Sequence, residues 1–285
     1  MEQKVNIYLM ADASTRSLTA LRQSLALAGL ARELAPVGRV AFGTSSLDEP
    51  LGGGIARAAL HEVYASAGAD LPAATGFAAA LALRAAGSRP VLWVRQDFLD
   101  AEAGRLHPPG LAELGLDPAQ ILLVRVRDGE GALRAGAEAA RCAALGATLI
   151  EPWGAPRQFD LTASRRLALA AETSGVLTLL LRVAAQPEPS AASTRWQVRA
   201  LPSRAREAEA PGDPAFGLRL LRHRGGLGER EWRVEWNRDE RCFRDRIGSE
   251  GGSKNGAGDA APLSRPLVSL SGERAPAPAG LRRAG

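Results

Sequence analysis

With 285 residues, 46% of them hydrophobic and 24% charged, the chain has the composition of a globular protein that can bury a substantial core, and not of a disordered one. No apolar run approaches the roughly 18 residues of a bilayer span, and the two cysteines, Cys142 and Cys242, lie far apart with only three histidines, so nothing has metal-ligand spacing. The formal charge is +5, Lys4 and Lys254 are the only lysines, and residues 246–285 hold six basic residues against three acidic ones; the net charge is therefore weak support for a nucleic-acid partner.

Residues 1–36 form an N-terminal helical segment, with Leu18, Leu21, Leu25 and Leu30 at near-helical spacing before Pro36. Leu25-Ala-Leu-Ala-Gly-Leu-Ala31 has the look of a signal core but lies late and follows acidic residues, so an amphipathic helix and a cytoplasmic protein are expected. A core follows over 37–244. Val37 to Phe42 and the run to Gly52-Gly-Gly54 lead into a short buried strand, Leu60 to Tyr64. After a loop, an alanine-rich helix runs from near Ala73 to Ala86 and stops at Gly87. Val91 to Val94 and Ile121 to Val126 are continuous apolar strands, separated by a helical turn, Gly110 to Gly115, that Leu116-Asp-Pro118 breaks. Leu133 to Leu145 reads as helix and Thr148 to Ile150 as strand. Asp160 or Thr162 caps a further helix that Gly175 ends, and Val176 to Leu181 is the fifth strand. Alternation of this kind predicts an α/β fold with a mostly parallel sheet.

The pattern then changes. Gln186 to Ser193 is a polar loop, and Trp196, Val198 and Ala200 alternate with Arg195, Gln197 and Arg199, as in a strand with one wet face. After a charged loop, Pro202 to Pro214, Leu218 to Leu221 and Trp232, Val234 and Trp236 flank His223 to Gly228 as a β-hairpin. Antiparallel strands are thus appended at the C-terminal side. Residues 245–285, rich in Gly, Ser, Pro and Ala, read as a disordered basic tail whose islands Pro262 to Leu270 and Leu281 to Arg283 could dock.

The strand, loop and helix from Leu60 to Ala86 have the local plan of a phosphate-binding loop, in which backbone N–H groups face an anion. A working loop reads G-x-x-x-x-G-K-[ST]. Here the corresponding stretch offers Ser66, Gly68, Asp70, Thr75 and Gly76 but no lysine, and its only formal charge, Asp70, repels a triphosphate. His61-Glu62 lacks the second histidine of H-E-x-x-H, since position 65 is alanine. No catalytic residue, cofactor or metal is expected, and the chain does not read as an enzyme.

Six stretches carry a resemblance: Leu51-Gly-Gly-Gly-Ile55, Ala59-Leu-His-Glu-Val63, Val91-Leu-Trp-Val94, Gly115-Leu-Asp-Pro118, and Asp160-Leu-Thr-Ala-Ser-Arg-Arg-Leu-Ala-Leu-Ala-Ala-Glu172 with Leu179-Leu-Leu-Arg182. On them, roughly residues 37–243 resemble the RecA ATPase core, and more closely the ImuA family of RecA-like proteins, also described as SulA-like. That resemblance implies an accessory role in DNA-damage-induced (SOS) translesion synthesis and mutagenesis. It implies partnership with ImuB, an inactive Y-family polymerase relative, and with RecA, and through them with an error-prone DnaE-type polymerase. In an active RecA-type ATPase, carboxylates near Asp97 and Glu151 would serve water and magnesium; without the lysine, and with Arg84 beyond the loop, a pseudo-ATPase is the expectation. The alternatives are a SulA-like division inhibitor binding FtsZ and an ATPase with an unorthodox nucleotide site. Arg165, Arg166, Arg195, Arg199, Arg222 and Arg224 are candidate partner or DNA contacts. The loop from Ala184 to Thr194 has one acid and no base, which leaves direct DNA binding unsupported.

Overall fold

The computed structural model describes Leu9–Met10 and residues 38–246 apart from Arg157; the expected N-terminal helix and the tail beyond 246 lie outside the described residues. Among the described residues there are six parallel strands at the heart of the fold: β4 (Leu60–Ala65), β5 (Val91–Gln96), β6 (Ile121–Val126), β7 (Ala147–Glu151), β8 (Leu177–Arg182) and β9 (Thr194–Leu201). They are joined by β1 (Leu9–Met10), parallel to β6, and by the antiparallel strands β10 (Ala215–His223), β11 (Arg230–Asn237) and β12 (Cys242–Asp245). The order across this sheet is β1-β6-β5-β7-β8-β4-β9-β10-β11-β12. The mostly parallel α/β sheet with antiparallel strands at its C-terminal side matches the sequence expectation. The strand at Leu9–Met10, inside the segment read as helical, does not.

The central strands form because their residues are apolar on both faces. Every residue of β5, β7 and β8 is buried. On one face Val63, Trp93, Leu149 and Leu179 pack against α2 (Leu71–Ala86), whose alanines let the helix lie close. On the other, Leu92, Val94, Ile150 and Leu180 meet α5 (Gly129–Ala140) and α6 (Leu161–Ser174). Helix α5 starts four residues before the expected Leu133, because Asp128 accepts a hydrogen bond from Gly131 N at 2.7 Å and caps it there. Asp160 caps α6 in the same way through Ala163 N, also at 2.7 Å, and Gly175 ends it at φ 74°.

The approach to β4 is a small hairpin of its own. Strand β2 (Arg39–Val40) pairs with β3 (Ile55–Ala56) around the one-turn helix α1 (Ser45–Asp48). Gly54 at φ 107° lies so near β2 that a Cβ would fall 2.1 Å from Val40 O, so only glycine fits. The hairpin is riveted to the last two strands, β11 and β12: Thr44 Oγ1 donates to Asp245 Oδ2 at 2.5 Å, and Trp232 Nε1 to Ser46 O at 2.9 Å. Two further one-turn helices, α3 (Leu99–Glu102) and α4 (Pro108–Glu113), follow β5.

Candidate functional site

Ligands of open α/β sheets sit beyond the C-terminal ends of the parallel strands. At that edge β4 runs into the stretch with the plan of a phosphate loop. Ser66 N donates to Val198 O at 2.8 Å, which ties the loop to β9. Gly68–Asp70 makes a single 3-10 turn, and α2 starts at Leu71 with Pro72 in its first turn. The Asp70 carboxylate turns inward: Oδ2 accepts from Ala67 N at 3.1 Å and Oδ1 from Ala200 N at 2.8 Å. A side-chain anion of the protein thus takes a backbone N–H of the kind that a phosphate loop offers to its ligand. Thr75 and Gly76 lie one turn into α2, where Gly76 faces the Phe216 ring.

The other charged groups expected near this edge are engaged elsewhere. Arg84 donates to Ala41 O and Arg241 O, and so serves the N-terminal hairpin. Asp97 accepts from Arg125 Nε at 3.0 Å. Glu151 is buried and accepts from Trp93 Nε1 and Arg95 Nε, each at 3.0 Å. Burial pushes its carboxyl above the usual range, against the pull of Arg95 and Trp93.

Beside the loop, under Glu188 and Ser190, lies a buried charged network that sequence inspection missed. Arg195 Nε donates to Glu62 Oε2 at 2.8 Å, and its Nη2 reaches Ser190 Oγ at 3.0 Å and Glu188 O. Arg182, the register partner of Tyr64, is fully buried with its guanidinium 4.4 Å from the centre of the Phe159 ring. Its nearest carboxylate oxygens, on Glu62 and Glu188, are both 3.9 Å away, and among the described residues none of its three nitrogens has a hydrogen-bond partner. Burial, with the Glu62 charge adding to it, pushes the Tyr64 phenol up to about 12. A charged residue closing an apolar run reads as a strand end; only the register, which places Arg182 opposite Tyr64, reveals the network.

The six candidate arginines fall in three places. Arg195 is buried, because the 188–190 loop roofs that part of β9 and Glu62 faces it; the wet face expected of β9 begins only at its second half. Arg222 Nη1 donates to Ser190 O at 2.6 Å and Arg224 N to Ser193 O at 2.8 Å, so both flank the same loop, and the Arg224 guanidinium lies 3.8 Å from Glu172 of α6. Arg165 and Arg166 are exposed on α6 beside Leu161 and Leu169, which are 41% and 63% exposed. Arg199 stands apart on the open half of β9.

No family model matches the chain. Over 233 residues it is 33% identical to the protein named Protein ImuA from each of two strains of Caulobacter vibrioides, an alignment that covers 75% of this chain and 82% of those proteins.

Proposed function

The chain belongs to the ImuA family, and from that premise we propose that it is a non-catalytic RecA-like adaptor in DNA-damage-induced translesion synthesis and mutagenesis. It docks on an ImuB-like inactive polymerase relative, on RecA, or on both, and so supports an error-prone DnaE-type polymerase. One observation carries the non-catalytic part: the phosphate-loop position has no lysine, and its own Asp70 carboxylate holds Ala67 N and Ala200 N. A triphosphate entering there would meet a fixed negative charge where a working site offers a cation, and losing one such stabilising group costs about 3–4 kcal/mol in the transition state. Asp97 and Glu151, near the places where an active RecA-type site would use carboxylates for water and magnesium, are paired with Arg125 and Arg95. The exposed stripe of Leu161, Arg165, Arg166 and Leu169 on α6 supports a partner-binding role. Among the described residues no helix is long and apolar enough to cross a membrane.

Purified full-length protein should capture the ImuB-like protein or RecA equally well with and without magnesium-ATP, and calorimetry should register no nucleotide binding. Tight magnesium-ATP binding would instead support an unorthodox ATPase, and capture of FtsZ alone a division inhibitor.

A further inference from the structure

The outer half of the sheet carries a notch that the adaptor reading does not use. In β10, Gly217 stands between its two register partners, Arg199 of β9 and Arg233 of β11. Beside it lies a cavity of about 270 Å³ walled by Gln197, Arg199, Arg219, Glu231 and Arg233 and reached by Ser66 of the phosphate-loop stretch. Arg199 lies across the glycine, so that a Cβ at 217 would come 2.6 Å from its Nε. This side of the strands is open, with Arg199, Arg219 and Arg233 all exposed.

The charges around the notch are unevenly matched. Arg219 is held by Glu229 Oε2 at 2.7 Å, with Glu231 a further 3.8 Å contact. Among the described residues, the guanidinium groups of Arg199 and Arg233 make no hydrogen bond or ion pair. Two unmatched cations flanking one gap repel each other, which folding alone does not call for. A carboxylate in the gap would receive charge-assisted hydrogen bonds from both sides.

We propose that this notch receives a carboxylate side chain from an acidic peptide segment of a partner protein, gripped between Arg199 and Arg233. The volume falls below the roughly 300–1,000 Å³ of small-molecule pockets and suits a side chain better than a cofactor. A nucleic acid is a poorer match. The Trp232 ring, which could stack a base, is turned to the opposite face, bonded to Ser46 O and 5.8 Å from the Trp196 ring. The chain's own last forty residues, with six basic and three acidic groups, are also the wrong sign. The inference rests on register and charge, and stands apart from the identity of the family's partners.

The test uses the full-length protein and a fluorescein-labelled Gly-Ser peptide bearing four glutamates, followed by anisotropy at about 0.15 M salt, where distant surface charges are screened. Arg199→Gln and Arg233→Gln should each weaken binding about tenfold or more. Gly217→Val, which displaces Arg199 from its place across β10, should do the same, while the Arg165→Gln/Arg166→Gln pair on α6 leaves binding unchanged and a glutamine version of the peptide fails to bind. The two arginine variants are surface changes that leave the fold intact, so the outcome does not depend on Gly217→Val folding. Several results would overturn the proposal: no binding to the wild-type protein, equal losses in the α6 variant, or an oligo-dT strand that binds more tightly and is lost in the same variants. Self-association abolished by Arg199→Gln would overturn it as well, by making a second copy the occupant.

Discussion

His61 is fully buried, and its hydrogen bonds leave no room for a second proton. Trp196 Nε1 donates to Thr194 Oγ1, the Thr194 hydroxyl donates to His61 Nδ1, and His61 Nε2 donates to Ala56 O, each at 2.7 Å. This chain of donors fixes the neutral ring and ties β4 to both β9 and β3. Burial is the main cause that brings the pKa of His61 down to about 4 from 6.5; the Ala56 bond opposes it and the His223 charge adds to it. Because the folded value is the lower one, the unfolded chain takes the proton first. Stability from this residue is complete above pH 6.5, falls away as the pH drops toward 4, and changes no further below that. At about 1.4 kcal/mol for each tenfold, the loss amounts to about 3 kcal/mol. Urea denaturation across that range should show this slope in the wild type. His61→Gln should be less stable at pH 7 and should lack that part of the slope.

At the scale of elements, α5 lies against the sheet through a glycine. A Cβ at Gly136 would come 2.3 Å from Ile150 Cδ1 on β7, so Gly136→Ala must push the helix off the sheet or force Ile150 from its rotamer. A loss of about 1–3 kcal/mol is expected, read as a lower thermal midpoint by circular dichroism; Ile150→Val should restore part of it. Elements with a strong local pattern were legible in the sequence. The strands β5 to β8 announced themselves as apolar runs, and α6 by its aspartate cap and glycine stop. Three kinds of feature were not. Strands β1, β2 and β3, two residues each, are too short to show a period. The start of α5 rests on a cap, Asp128, that precedes two glycines and so looks like a loop. The burial of Arg195 depends on Glu62, 133 positions away, which alternation along β9 cannot report. The candidate site divides in the same way. The missing lysine is plain in the sequence, but the inward turn of Asp70 and the notch at Gly217 exist only once β9, β10 and β11 are in register.

For the whole molecule, the decisive contact joins the first part of the described core to the last. The Phe243 ring of β12 lies 5.7 Å from Phe42, 5.5 Å from Phe77, 6.2 Å from Phe216 and 4.9 Å from Trp236, and so touches the N-terminal hairpin, α2, β10 and β11 together. Truncating it should cost about 3–5 kcal/mol, as for buried aromatic residues generally. Urea unfolding of Phe243→Ala checks this. A loss below about 1 kcal/mol would mean that the hairpin and β12 are held mainly by Asp245 and Trp232.

The position of β4 also sets the order in which the chain can assemble. Its two neighbours in the sheet, β8 and β9, begin at Leu177 and Thr194, more than a hundred residues after β4 ends at Ala65. A ribosome adds about 5–20 residues each second, so both edges of β4 stay unsatisfied for several seconds of synthesis. During that interval Leu60 to Ala65, a strand that is almost wholly buried in the finished fold, has open hydrogen-bonding edges on either side, the form most prone to pair with a wrong chain. Folding of this protein therefore closes from its late strands onto an early one, and the nascent chain must be kept from aggregating until β9 has emerged.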